Sequence, residues 1–159
     1  MREKLALCHL PTPLWRSDAL DTLVGTSVWV KRDDMTGGAE AGNKLRKLEY
    51  LLADALSTRA TVVLTCGGLQ SNHARATAIA AARLGLRTCL FLRTATPSLT
   101  PPPTGNLLLD RLVGAEVRLI SPDEYRNRGS VMTRAAEELS AKGERPYVIP
   151  EGGSNALGS

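Results

Sequence analysis

The sequence predicts an α/β protein built on an open sheet of about four parallel strands, because short apolar runs alternate with helical patterns from residue 61 onward. Two further observations support that expectation. Each helical pattern closes on a glycine, at Gly85, Gly114 and Gly143, the residue that most readily takes the left-handed conformation after a helix. The apolar runs, such as Thr61-Val62-Val63-Leu64-Thr65-Cys66, are continuous rather than alternating, as in parallel strands covered on both faces. With 159 residues, 43% hydrophobic and 23% charged, the composition is that of a globular chain rather than a disordered one.

The elements follow in order. Residues 1–27 read as irregular, with Pro11 and Pro13 forcing extended or turn conformations; Leu10-Pro11-Thr12-Pro13-Leu14 is a stiff segment expected to lie on something. Residues 27–32 alternate and are β-branched, which predicts a strand. Asp33-Asp34 ends it as a solvated acidic pair and opens a loop carrying Gly37, Gly38 and Gly42. A helix then begins, its apolar stripe marked by Leu45, Leu48, Leu51, Leu52 and Leu56. After the strand at 61–66, an alanine-rich helix spans 71–84. The next strand is 88–92, followed by a proline-rich loop, a helix over 106–113 and a third strand over 116–120. Ser121-Pro122-Asp123-Glu124 joins an N-cap serine, a proline at the first helical position and an acid three residues after the cap. It launches one helix to residue 142. Tyr147-Val148-Ile149-Pro150 is the fourth strand, and a glycine-rich loop follows it at Gly152-Gly153, where open α/β sheets place ligand contacts.

Charge and cysteines narrow the functional classes. The net charge of +4 is spread among acids, and aromatics are 4% of the chain. Nucleic-acid binding wants clustered bases and stacking rings, so it is disfavoured; a small anionic ligand accounts for the excess equally well. Cys8, Cys66 and Cys89 are odd in number and widely spaced, which argues against a disulfide framework or zinc site and for a reducing compartment. Met1-Arg2-Glu3-Lys4 and the short apolar stretch before Pro11 make no signal peptide, and no run approaches transmembrane length. A cytoplasmic location without membrane contact is expected.

Two stretches could carry chemistry. Lys44 falls in the first turn of its helix, where unpaired N–H groups favour an anion and an ordinary lysine is out of place; a solvated surface lysine is the bland alternative. Cys66-Gly67-Gly68-Leu69-Gln70-Ser71-Asn72-His73 joins a strand to a helix. Its glycines let backbone approach a ligand, and the helix start offers N–H groups to an anion. The bland alternative is a tight turn capped by Ser71. Neither a dinucleotide nor a nucleoside-triphosphate fingerprint is present. His73 has no second histidine or carboxylate at metal spacing, so no metal is expected.

Together these motifs resemble the fold-type II pyridoxal-phosphate enzymes, within them the family of D-cysteine desulfhydrase and 1-aminocyclopropane-1-carboxylate deaminase. The resemblance rests on Leu10-Pro11-Thr12-Pro13-Leu14, Lys31-Arg32-Asp33-Asp34, Gly42-Asn43-Lys44-Leu45-Arg46-Lys47-Leu48-Glu49, Gly67-Gly68-Leu69-Gln70-Ser71-Asn72-His73-Ala74-Arg75, Gly105-Asn106 with Gly114-Ala115-Glu116, and Gly152-Gly153-Ser154-Asn155, in the family's order. It implies a three-layer sheet of the tryptophan synthase beta-like kind and pyridoxal 5'-phosphate as cofactor. By the same resemblance Lys44 carries the cofactor covalently, and Lys47 lies near its phosphate. Asn72 would hydrogen-bond the ring hydroxyl, Ser71 would contact substrate and assist the chemistry, and the backbone around Ser71, Asn72 and His73 would hold the substrate carboxylate.

Ala41 stands where the family usually has glycine, and the run from Leu69 to Arg75 is more like the desulfhydrase branch. The implied reaction is α,β-elimination from D-cysteine or a relative to pyruvate, ammonia and sulfide. The deaminase reaction, β-replacement, and a catalytically inactive fragment or small-molecule binding module are the alternatives. Family members are about twice as long, so the resemblance makes this the N-terminal half, with the phosphate-cradling loop beyond it. Residues 1–49 would begin the large domain, 50–150 form the small domain, and 151–159 return to the large one. A homodimer is expected at full length.

Overall fold

The computed structural model describes residues 4–158; residues 1–3 and 159, which belong to the expected terminal segments, lie outside the described residues. Strand β1 (Leu14–Arg16), helix α1 (Asp18–Val24) and strand β2 (Trp29–Lys31) come first, followed by α2 (Asn43–Ser57). The alternating part comprises β3 (Val62–Gly68), α3 (Asn72–Arg83), β4 (Arg87–Arg93), α4 (Gly105–Leu112), β5 (Glu116–Ile120), α5 (Pro122–Arg126), α6 (Arg128–Ala141) and β6 (Pro146–Val148). Strands β5-β4-β3-β6 form one parallel sheet in that order. The predicted α/β class and its parallel sheet are therefore present.

Three layers follow from the pleat of β3, whose residues from Val62 to Cys66 are all buried. Val63 faces Leu45, Leu48, Leu51 and Leu52 of α2 and Ala76, Ala80 and Ala81 of α3. Val62, Leu64 and Cys66 face the other way, with Phe91 and Ile120, against Met132, Ala135 and Leu139 of α6. The alanines of α3 explain its closeness to the sheet: Ala74 and Ala78 also pack on Leu90, Leu92 and Leu107. Leu56, expected on the apolar stripe of α2, is 37% exposed, and Ala55 takes the buried place.

Three expectations are corrected. The stretch 1–27, expected to be irregular, contains β1 and α1, with β1 antiparallel to β2. Helix α1 has acids Asp18 and Asp21 in its first turn and Gly25 at φ 72° as its stop, yet buries no residue, and the helical spacing of Leu20, Leu23 and Val24 runs too briefly to mark it. The single helix expected from 121 to 142 is two. The capping box of Ser121 and Glu124 forms as predicted, but Asn127 (φ −102°, ψ 25°) ends α5 and α6 starts beside it. Asparagine and glycine at 127 and 129 are poor helix formers. Finally, Asp33 and Asp34 are not simply solvated. Arg46 grips both oxygens of Asp33 at 2.8 Å, and Arg32 pairs with Asp34.

Candidate functional site

The two halves of the sheet diverge at β3: β4 and β5 lie to one side and β6 to the other. The connections leaving β3 and β6 therefore part at their carboxyl ends, where open α/β sheets leave a crevice. From β3 the chain runs through Gly67 and Gly68 into α3. From β6 it runs through Pro150 into a 3-10 turn over Glu151–Gly153. The start of α2 meets this second turn.

Lys44 is the second residue of α2, whose N-cap is Gly42 at φ 131°. A Cβ placed on Gly152 would come 3.6 Å from Lys44 Nζ and 3.5 Å from Ser154 Oγ, so the lysine amine lies against the backbone of this turn. Gly152 and Gly153, at φ 65° and 63°, both use the left-handed region. Lys47, one turn along α2, donates to Ser154 Oγ at 3.2 Å. His73 approaches the same turn, since a Cβ on Gly153 would lie 3.5 Å from its Cε1 and 3.6 Å from Lys47 Cδ. Lys44 and Lys47 of α2 and His73 of α3 are thus gathered around Gly152-Gly153-Ser154.

His73 is buried. Its Nε2 lies 2.9 Å from Thr65 Oγ1, while its Nδ1 is buried without a hydrogen-bond partner. Burial, reinforced by the positive charges of Lys44 and Lys47, pushes its pKa down to about 4, so the ring is neutral near pH 7. The turn is anchored from behind by Glu151, whose carboxylate accepts from the Tyr125 hydroxyl and pairs with Arg128 Nε at 2.9 Å. A cleft of about 640 Å³, lined by residues 126–130 with Met132, Pro150, Glu151 and Ser154, adjoins the turn but is not lined by Lys44, Ser71 or Asn72.

Ser71 and Asn72 make their side-chain contacts elsewhere. Ser71 caps α3 by accepting from Ala74 N at 3.2 Å, the bland role offered for it above. Gly67 is required there, because a Cβ would sit 2.5 Å from both Cβ and Oγ of Ser71. Asn72 is exposed, and its Oδ1 accepts from Asn106 Nδ2 at 3.0 Å.

The loop before Lys44 is held by residues given no role in the sequence reading. Thr36, fully buried, hydrogen-bonds both N and O of Gly42 at 2.9 and 3.0 Å. Arg75 donates to Ala41 O at 2.7 Å. Arg75 and Asn106 were part of the family motifs, but their contacts span more than thirty positions and no local pattern signals them. Among the described residues no group of three or more potential metal ligands gathers, and no helix is long and apolar enough to cross a membrane.

The donor set fits a phosphorylated aldehyde. It offers a primary amine at a helix start over a glycine cradle, a second ammonium beside a serine hydroxyl one turn away, and an exposed amide. At α3, Ala74 and Arg75 are the first amides bonded back to Ser71, so the N–H groups of Asn72 and His73 precede the helix's own ladder and suit an anion.

Comparison with known proteins agrees. Residues 5–158 match a family model described as pyridoxal-phosphate dependent enzyme. A mitochondrial bifunctional D-cysteine desulfhydrase/1-aminocyclopropane-1-carboxylate deaminase of Arabidopsis thaliana is 51% identical over 97% of this chain and 39% of its own length. A putative 1-aminocyclopropane-1-carboxylate deaminase of Thermotoga maritima is 51% identical over 98% of this chain and 49% of its own. A solved structure of an ACC deaminase homologue superposes with a TM-score of 0.89 at 41% identity, covering 98% of this chain and 46% of that one. The chain spans about half the length, or less, of these relatives.

Proposed function

The chain belongs to the pyridoxal-phosphate dependent enzyme family, and from that premise we propose that it serves a lyase acting on a D-amino acid, with α,β-elimination of D-cysteine to pyruvate, ammonia and sulfide as the reaction. The observation that carries the reading is the placement of Lys44 Nζ beside Gly152, with Lys47 and His73 at the adjoining Gly153, at the divergence of the sheet. The name of the Arabidopsis relative supports both desulfhydrase and deaminase activity; the run from Leu69 to Arg75, with His73 in it, favours the desulfhydrase branch.

Pyridoxal phosphate, when bound, supplies an electron sink for the carbanion that forms at the substrate's α-carbon. Lys44 would hold the cofactor through its primary amine and carry the α-proton. Lys47, with Ser154, would meet the phosphate. Asn72 would donate to the ring oxygen. The free N–H groups at the start of α3 would receive the substrate carboxylate, with Ser71 beside it. His73, neutral and buried, would shape the wall behind Lys44 rather than move a proton.

Ring-opening deamination of 1-aminocyclopropane-1-carboxylate to 2-oxobutanoate is the second reading, favoured by the Thermotoga name. The two separate in one assay. With D-cysteine the first reading expects sulfide and pyruvate, and 2-oxobutanoate from the cyclopropane substrate without sulfide from D-cysteine would replace it with the second. Absence of both products, with cofactor bound, would leave a binding module.

A further inference from the structure

We propose that Asn106, at the start of α4, is a positioning residue that fixes which end of the Asn72 amide faces the ligand. The proposal rests on the reading above, in which Asn72 meets a ligand oxygen.

Hydrogen-bond polarity fixes the arrangement. Asn106 Nδ2 donates to the backbone carbonyl of Gln70 at 2.8 Å and to Asn72 Oδ1 at 3.0 Å. Its own Oδ1 accepts from Arg75 Nη1 at 3.3 Å. A carbonyl can only accept and a guanidinium can only donate, so the Asn106 amide has one allowed orientation. Turning it over would set oxygen against oxygen at Gln70 and NH₂ against guanidinium at Arg75. That orientation presents a donor to Asn72, which must answer with Oδ1. The NH₂ of Asn72 is thereby turned away from Asn106, and no protein acceptor claims it among the described residues. An exposed asparagine would otherwise sample both flips; here it offers a donor, suited to an oxygen such as a phenolate.

The site around Asn106 is built for this. Its backbone N–H donates to Gln70 Oε1 at 2.8 Å, and Gln70 Nε2 donates to Thr104 O at 3.1 Å. Gly105 adopts φ 54°, and a Cβ there would lie 2.4 Å from Gln70 Oε1, so glycine permits the approach of α4 to the turn before α3. Arg75, which polarises Asn106, also holds Ala41 O at 2.7 Å. One guanidinium thus sets both the Asn72 donor and the backbone just ahead of Lys44.

The discriminating variant is Asn106→Asp, with Asn106→Ala beside it. The new carboxylate keeps and strengthens the bond to Arg75 but cannot donate to Asn72. The Asn72 amide then turns over, donates to the carboxylate and shows its oxygen to the ligand. The first measurement, on the ligand-free chain, is the side-chain NH₂ signal of Asn72 by ¹⁵N NMR. It is expected solvent-exposed in the parent, and slowed in exchange and shifted downfield in Asn106→Asp. The second is an absorbance titration with pyridoxal phosphate. Affinity should fall about tenfold in Asn106→Asp, the effect of facing an acceptor with an acceptor, and by clearly less in Asn106→Ala, although both variants lose the bond to Gln70 O. A fall in affinity that merely tracks a loss of stability across both variants would overturn the proposal, as would an unmoved Asn72 signal. If the parent chain takes up no pyridoxal phosphate, the functional reading fails, and the NMR signal alone decides whether Asn106 orients Asn72.

Discussion

Lys44 shows how far a single residue can be read from its surroundings in the chain. Gly42 ahead of it and the leucine period after it place it in the first turn of a helix, and α2 begins at Asn43 as that pattern requires. What it faces was legible only as a family motif, because Gly152 arrives from over a hundred positions away. His73 was less legible still. Its burial depends on Thr65 and on Gly153, and nothing local marks those contacts. The consequence is measurable. A histidine held near pKa 4 rather than its ordinary 6.5 lets the unfolded chain take the proton first as pH falls. Its contribution to stability is therefore full above pH 6.5 and is lost between 6.5 and about 4. Urea unfolding at several pH values should show His73→Gln with a flatter curve over that window; parallel curves for parent and variant would contradict the buried neutral ring. At Gly67, substitution by alanine should cost about 1–3 kcal/mol, as expected when a side chain is forced into a packed site, because the new methyl meets Ser71.

Elements were legible where they bury a face. β5 was predicted at its observed limits, and β3, β4, α3 and α4 shifted by a residue or two, since their apolar runs are read directly by the core. Helix α1 was missed because it buries nothing, and the break at Asn127 because the apolar period continues past it into Met132, Ala135 and Leu139. Helix α4 holds a cost of its own. Asp110 is buried with neither carboxylate oxygen hydrogen-bonded. Burial raises its pKa to about 7, with Arg75 opposing. The native state therefore keeps this proton longer than the unfolded chain, whose aspartate titrates near 3.8, and stability contributed below pH 3.8 is lost as pH rises through 7. Asp110→Asn should gain stability on the parent as pH increases, by on the order of a few kcal/mol between pH 4 and 8. A variant whose advantage is the same at both pH values would refute the buried acid.

At the scale of the molecule, the sheet order explains why the candidate site lies where it does. Placing β3 between β4 and β6 brings the turn after β6 beside α2, and the leucines of α2 that pack on Val63 hold Lys44 at that edge. The alternation of runs implied a parallel sheet, but the order β5-β4-β3-β6 is a tertiary property that no single run encodes. We carry the division into 1–49, 50–150 and 151–159 as a proposal about the family's domains; its first boundary falls within α2. Stability should be uneven across the described residues. β3 is buried almost throughout, whereas β1, α1 and β2 expose Leu14, Trp15, Leu23 and Trp29 and have no buried residue among them. Hydrogen exchange should therefore release 14–31 well before the amides of β3 and β4; equal protection of the two regions would contradict this layering.

The central claim is that Lys44 is the residue that takes pyridoxal phosphate. The direct test is to incubate the chain with the cofactor, reduce with borohydride and map the modified peptide by mass spectrometry. Modification should concentrate on Lys44 and be lost in Lys44→Ala with the fold intact by circular dichroism. Label spread evenly over Lys31, Lys44, Lys47 and Lys142, or unchanged in Lys44→Ala, would contradict it.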